Sequence, residues 1–345
     1  MELQAKLATL DASLQGVGSL LVAFSGGADS AFLLAAAVRA LGAQQVVAAT
    51  AVSPSLARAE LPAAAAYARS LGVRHLTPKT EELARPGYVA NGADRCFHCK
   101  ATLLDTLAPL AAELGLAGVA TGTNADDPVA GFRPGLRAAA ERGALTPLLD
   151  AGLSKAEIRA TSAAWGLVTA DKPALACLAS RIAYGLQVTP AALARVDRAE
   201  TALRAAIGLV RDLRVRDLGD GQARVELDPL ALARWDAPAQ AAVLAAGFTA
   251  VTVMAFRSGS MNDALAPAGR GEQAEQGEGE ADREQGGAQG QAERDVLAAG
   301  EEQRQHHGDA DRSGDEDHRA DGDQPVDPAG GVGRDMFHAA QVKRR

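Results

Sequence analysis

An apolar run, Leu20-Leu21-Val22-Ala23-Phe24, ends directly in Ser25-Gly26-Gly27-Ala28-Asp29-Ser30, and a stretch of helical periodicity, Ser30–Leu41, follows at once. A strand that turns into a helix through two glycines leaves few folds open. Glycine lets the backbone turn tightly and bring its N–H groups close to a ligand. The helix start adds unpaired donors and the positive end of the helix dipole, so the turn is suited to an anion. Ser25 and Ser30 can donate hydroxyl hydrogens, and Asp29 can hold a Mg²⁺ that bridges phosphates. The spacing GxxxxGK[ST] and its lysine are absent, so this is a different phosphate turn from that of the common nucleoside triphosphatases. An ordinary glycine-rich strand–helix turn would explain the glycines but not the aspartate and its two serines.

The same alternation continues. Val46–Val52 and Gly118–Thr121 read as buried strands, and Ser55–Leu71 and Cys99–Leu114 as helices. This pattern predicts an α/β fold, a parallel sheet with helices on both faces, which binds ligands at the carboxyl ends of its strands. Beyond about residue 186 the pattern changes. Thr189–Leu209 reads as one helix with a Thr cap and Pro at its first position. Asp212–Asp217 and Ala223–Leu227 flank Gly219-Asp220-Gly221 as a hairpin. A helix over Pro229–Leu244 and a strand over Ala250–Phe256 complete a small α/β supplement. The predicted organisation is therefore residues 1–185, residues 186–262, and a tail over 263–345. That tail is rich in Gly, Glu, Gln, Asp and Arg without hydrophobic period, which reads as disordered; an acidic interaction tail and translation from a shifted reading frame are the alternatives.

Composition narrows the function. Apolar residues make up 47% but aromatics only 3%, so the core must be built from Ala, Leu and Val. A formal net charge of −8 argues against binding nucleic acid through a global field. Three cysteines are too few and odd in number for a disulfide framework, and they favour metal, cluster or thiol chemistry in a reducing compartment. No signal-peptide pattern opens the chain, and no run reaches ~18 apolar residues, so no membrane span is predicted and cytoplasm is the expected setting.

A second set of residues bears on chemistry. Gly122-Thr123-Asn124-Ala125-Asp126-Asp127 follows the third predicted strand, placing acidic groups on the ligand edge, where an Asx-type turn with solvated carboxylates is the plainer reading. Gly131-Phe132-Arg133-Pro134-Gly135, Lys155–Arg159 and Asp171–Arg181 follow, the last containing Cys177. Cys96-Phe97-His98-Cys99 is compatible with an iron–sulfur, redox or zinc site. Arg214 and Arg216 alternate on one strand face and could clamp a phosphate or carboxylate, or could be solvated.

SGGADS resembles the SGGxDS signature of the PP-loop ATP pyrophosphatases, whose fold is of the adenine nucleotide alpha hydrolase-like type and which cleave ATP between its α- and β-phosphates. The set of motifs in this order, from about residue 15 to Asn262, further resembles the ATP-dependent sacrificial sulfur transferases (LarE) of nickel-pincer cofactor biosynthesis. It includes Cys-Leu-Ala-Ser-Arg at 177–181, the Arg214–Glu226 hairpin and Phe256–Asn262. That resemblance implies a pyridinium mononucleotide substrate whose carboxylate is adenylated and then converted to a thiocarboxylate. It implies ATP binding by Ser25, Gly26, Gly27, Asp29, Ser30, Gly122 and Asp127, with Mg²⁺ on Asp29. Cys177 matches the sulfur-donating cysteine. Arg181 could lower its pKa or hold substrate, and Glu200 and Glu226 are weaker acid/base or orienting candidates. Arg214, Arg216 and Arg257 would take the substrate phosphate.

Departing from the single-cysteine pattern, Cys96, Cys99 and Cys177 together could ligate three irons of a [4Fe–4S] cluster. Sulfide or a cysteine desulfurase would then be the sulfur source. The resemblance also implies a homo-oligomer. A tRNA thiolase, an amidotransferase of the NAD or GMP synthetase kind, and a non-catalytic nucleotide-binding protein remain as alternatives.

Overall fold

Alternate residues of the first apolar run face opposite ways, and both sets are apolar, so the run suits an interior strand covered on two sides. In the computed structural model, which describes residues 2–129, 133–173 and 176–261, it forms β1 (Leu20–Ala23). β1 pairs in parallel with β2 (Val46–Ala49) on one side and with β4 (Val119–Thr121) on the other. β3 (Arg74–Leu76) pairs in parallel outside β2, giving the order β3-β2-β1-β4. The expected tail over 263–345 lies outside the described residues, as do Gly131, Phe132, Ala174, Leu175 and Asn262.

Helices cover both faces of this sheet. Leu20, Val22, Val46 and Ala48 pack with α1 (Leu3–Val17), α2 (Ala28–Leu41), α3 (Glu60–Ser70), α7 (Pro147–Asp150) and α8 (Lys155–Ala164). Leu21, Val47 and Ala49 face the other way, onto Leu104, Leu107 and Ala111 of α5 (Arg95–Glu113) and Ala139 of α6 (Pro134–Glu141). The short helix α4 (Pro86–Val89) precedes α5 and places Tyr88 in the interior. Ala31, Ala36 and Ala37 are buried in α2 beside Phe32, Leu33 and Leu34. A core made of such small residues lets helix and sheet approach closely, as the alanine-rich composition requires.

The second sheet is built on α9 (Pro190–Ile207). Thr189 caps it, its hydroxyl accepting from Ala192 N at 3.1 Å. Leu193, Val196, Ala199 and Leu203 form its buried stripe, facing Leu213 and Val215 of β5 (Leu213–Asp217) and Val225 and Leu227 of β6 (Gln222–Leu227). β5 and β6 form the expected antiparallel hairpin, and Gly219, Asp220 and Gly221 turn it in left-handed conformations (φ 88°, 48° and 73°). β7 (Ala250–Ala255) runs parallel to β6 at the sheet edge.

The single helix expected over 229–244 is instead two, α10 (Pro229–Leu232) and α11 (Ala237–Ala245). Pro238 removes an N–H and would clash with a carbonyl one turn back, so it fits only a first turn. Asp228 and Asp236 each cap one of the helices, accepting from Ala231 N at 2.9 Å and Ala239 N at 2.8 Å. The expected strand over 46–52 likewise ends at Ala49; Val52 makes only an isolated bridge with Lys79. All described residues belong to one compact unit, Met1–Glu272.

Candidate active site

The order β3-β2-β1-β4 sends the chain from β1 to one side and brings β4 back on the other. At such a reversal the loops leaving two neighbouring strands part and open a crevice at their carboxyl ends. Here the two loops are Ser25–Gly27 and Gly122–Asp127. Gly26 takes φ 76°, and Gly27 is the N-cap of α2, so the turn presents the free donors of the helix start. Ser25 and Ser30 share a hydrogen bond between hydroxyls at 3.1 Å, and Ser30 Oγ also donates to the Gly27 carbonyl at 3.1 Å. Gly122 closes the crevice floor. A Cβ there would stand 2.8 Å from Ser30 N and 3.0 Å from the Asp29 carbonyl carbon, so only glycine admits this approach.

Asp29 sits in this floor with Oδ1 buried and without a hydrogen-bond partner. Burial pushes its carboxyl above the usual range; Lys155 and Arg159 pull it back, and Asp127 pushes it further up. A desolvated, unpaired carboxylate oxygen at the head of a helix suits a hard divalent cation, so the residues fit Mg²⁺. Asp127 accepts from Asn124 N at 3.1 Å and lies 4.0 Å from Arg133. Asp126 is engaged structurally, with Asn124 in an Asx turn and with Lys155 N at 2.8 Å.

The thiols gather beside the Ser53–Ser55 loop. Cys96 and Cys99 lie one turn apart at the start of α5, and Cys177 opens a short 3₁₀ turn, Leu178–Arg181, anchored by Leu178 N donating to Ser55 O at 2.9 Å. The groups are close enough to act on one another. Burial first, then Cys177 and Glu82, push the Cys99 thiol well above its ordinary range. Ser53 Oγ donates to buried Glu82, and Ser55 and Tyr88 hydroxyls share a bond at 2.5 Å behind the thiols. Cys96 and Cys177 are exposed. Among the described residues, no three His, Cys, Asp or Glu side chains are placed to hold a metal ion. As they stand the thiols converge without forming a ligand set.

Arg181 does not reach the Cys177 sulfur. Its guanidinium pairs with Glu200 at 2.9 Å and donates to the Ala176 and Cys177 carbonyls at 2.5 and 3.1 Å. It therefore fixes the backbone that carries the thiol. The cation facing the thiols is Arg95, buried, bonded to Asn91 Oδ1 at 2.6 Å and Ala179 O at 3.0 Å, with Nη2 4.0 Å from Cys96 Sγ. Burial works to lower its pKa, but Cys177 and Cys96 overcome this and raise it. Lys100 is half-buried as a residue, and burial of its amine pulls its pKa down against Cys99, Asp127 and Cys96. It is thus near both the thiols and Asp127. Neither Arg95 nor Lys100 was a candidate from the sequence, although both flank the cysteine pair in Arg-Cys-Phe-His-Cys-Lys.

Beyond the thiols lies an arginine network. Arg214 and Arg216 share one face of β5 and are buried, so the solvated-face reading is overturned. Arg216 donates to Glu226 at 2.8 Å and to Ser180 O at 3.0 Å, with Nε buried and unpartnered. Arg224 also meets Glu226, at 3.1 Å. Burial works to raise the Glu226 carboxyl, yet Arg216, Ser260 and Arg224 together hold it below the usual range. Burial, then Arg181, bring Arg214 down to about 10. The segment following β7 covers this network: Phe256 lies 5.3 Å from the Arg214 guanidinium and Ser260 Oγ donates to Glu226 at 2.8 Å, while Arg257 is exposed. Four arginines, 181, 214, 216 and 224, thus surround two carboxylates, Glu200 and Glu226, an arrangement that suits a bound anion.

A protein of Lactiplantibacillus plantarum named pyridinium-3,5-bisthiocarboxylic acid mononucleotide synthase is 33% identical over 271 residues, covering 77% of this chain and 97% of the relative. The chain belongs to that synthase family, LarE. An uncharacterised Synechocystis protein, slr1717, is 44% identical over 227 residues, 66% of this chain and 83% of its own length. No protein-family model matches the chain. For this LarE-family chain, no helix among the described residues is long and apolar enough to cross a membrane.

Proposed function

We propose that the protein is an ATP-dependent sulfur transferase acting on a pyridinium mononucleotide carboxylate. The observation that carries this reading is a single segment, 172–181, that touches all three parts of the site. Lys172 Nζ donates to Gly26 O at 3.0 Å in the phosphate turn, Cys177 stands among the thiols, and Arg181 joins the arginine network through Glu200. Five positions separate Lys172 from Cys177, so their Cα atoms lie within about 18 Å.

In this reading the turn over Ser25–Ser30, with Gly122 as its floor, grips ATP in the manner of a PP-loop, and Arg214 and Arg216 seat the phosphate of the mononucleotide. Mg²⁺ held by Asp29, with Asp127 beside it, would neutralise phosphate charge. A substrate carboxylate oxygen attacks the α-phosphorus and pyrophosphate leaves, which converts a poor electrophile into an acyl-adenylate. The Cys177 thiolate attacks the acyl carbon and AMP leaves, forming a thioester. Loss of the Cys177 α-proton with cleavage of its Cβ–S bond then yields the thiocarboxylate and dehydroalanine. Three cysteines where a sacrificial donor needs one are the support for a second route. There Cys96, Cys99 and Cys177 would be the residues to hold a [4Fe–4S] cluster, which would supply the sulfur in place of the Cys177 thiol.

Mass spectrometry of the intact protein after turnover tests the reading. Loss of H₂S at Cys177 supports the sacrificial route. Unchanged mass with thiocarboxylate formed only by iron-reconstituted protein supports the cluster route. Absence of AMP and pyrophosphate on adding substrate and Mg-ATP overturns both.

A further inference from the structure

The phosphate turn lacks the lysine that other phosphate loops carry in their own sequence. The fold brings one to it from elsewhere. Lys172 Nζ donates to the Gly26 carbonyl at 3.0 Å and to Glu60 Oε2 of α3 at 3.0 Å. A Cβ built on Gly26 would stand 3.9 Å from that nitrogen. An ammonium has three donors, and these two contacts leave one uncommitted. The amine is also held at its root. Arg159 donates to Ala170 O and Lys172 O, both at 2.7 Å, and so fixes the backbone from which Lys172 extends. A cation positioned before its ligand arrives needs little reorganisation to engage it.

We propose that Lys172 is the polyphosphate-gripping lysine of this site, supplied to the turn by the segment that carries Cys177. The inference rests on the nucleotide reading above and deepens it. The third donor of Lys172 takes an oxygen of the β- or γ-phosphate seated on the turn. Glu60 holds the amine in place when no nucleotide is bound and competes with the phosphate for it. Because Leu178 N is bonded to Ser55 O and Lys172 O to Arg159, both ends of the stretch between lysine and thiol are fixed. Gripping the leaving pyrophosphate and placing the sulfur are thereby functions of one short piece of chain.

Binding of pyrophosphate, of a non-hydrolysable ATP analogue and of AMP to the full chain, measured calorimetrically with Mg²⁺, tests this. Loss of one charge-assisted hydrogen bond corresponds to roughly 10- to 100-fold in affinity. Lys172→Met is expected to weaken pyrophosphate and the analogue by that factor and leave AMP within about twofold, while Lys172→Arg retains most of the affinity. Glu60→Gln, which removes the competitor, is expected to bind the analogue as well as or better than the wild type. Equal weakening by Glu60→Gln and Lys172→Met would make the pair a structural bridge and overturn the inference. So would wild-type affinity in Lys172→Met. A wild-type chain that binds no ATP analogue at all defeats the nucleotide reading itself. Should Lys172→Met fold poorly, acetylation of the wild type probes the same contact: pyrophosphate must protect Lys172, and unaltered labelling under saturating pyrophosphate overturns the proposal.

Discussion

The two ends of the site hold charge in opposite ways. At the glycine turn the donors are backbone N–H groups on a helix start, the key residues are glycines, and the half-buried carboxylate of Asp29 has one buried oxygen with no partner. At the arginine network the donors are long side chains, and its carboxylates are saturated: Glu226 is fully buried and meets Arg216, Arg224 and Ser260. The first end is vulnerable to an added atom, because its shape is set by close backbone approach. The second is vulnerable to a removed charge, because a buried guanidinium left unpaired is costly.

Glu226→Ala is the largest test of this contrast. It leaves buried Arg216 and half-buried Arg224 beside one another without their shared carboxylate and is expected to cost about 3–5 kcal/mol by urea denaturation. A loss under ~1 kcal/mol would show that water reaches the pair.

Gly122→Ala comes next. Its methyl meets the backbone of Asp29 and Ser30 rather than a movable side-chain end. The expected cost is about 1–3 kcal/mol, together with loss of nucleotide binding by titration, and wild-type affinity would show that the crevice floor yields.

Asp29→Asn should act with the opposite sign on stability. A carboxyl whose pKa is raised in the fold stabilises only below its unfolded value and costs stability as pH climbs through the folded one. Removing the charge is therefore expected to raise the neutral-pH Tm slightly, by no more than about 2 kcal/mol of stability. The rise in Tm that Mg-ATP gives the wild type should vanish. A variant that is less stable at neutral pH would show that the Asp29 carboxylate is stabilised by partners in the fold.

Glu157→Ala is the smallest, and serves as a control outside both regions. Glu157 closes a capping box with Ser154 and pairs with Lys6 at 2.8 Å, and Lys6 foremost, then Ser154, bring its pKa down to about 2. Loss of roughly 1 kcal/mol is expected above pH 5. Since the folded pKa is depressed, that difference should shrink as pH falls from 4.5 toward 2 in denaturation curves, and a difference constant with pH would rule the charge out.

Residues adjacent in sequence were legible. β1, the glycine turn and α2, the Thr189 cap with Pro190, and the Gly219–Gly221 hairpin follow from local periodicity and turn chemistry, and tertiary packing agrees with them. β3 was not foreseen, because Arg74-His75-Leu76 is short, lies at a sheet edge and carries little hydrophobic pattern. The helix over 229–244 failed on a local signal that was present, Pro238 two residues after a capping aspartate.

What the sequence determined by itself was which groups could do chemistry: a glycine turn suited to an anion, three thiols and a set of arginines. Which of them meet was decided by the fold. Arg181 stands four residues from Cys177 yet turns to Glu200, whereas Arg95, over eighty positions before Cys177 though next to Cys96, acts on both thiols, and Lys172 reaches Gly26 across 146 positions. Periodicity reports on neighbours one or two turns apart. A long charged side chain goes instead to whichever buried partner best offsets its desolvation, and only the packed chain says where that partner is.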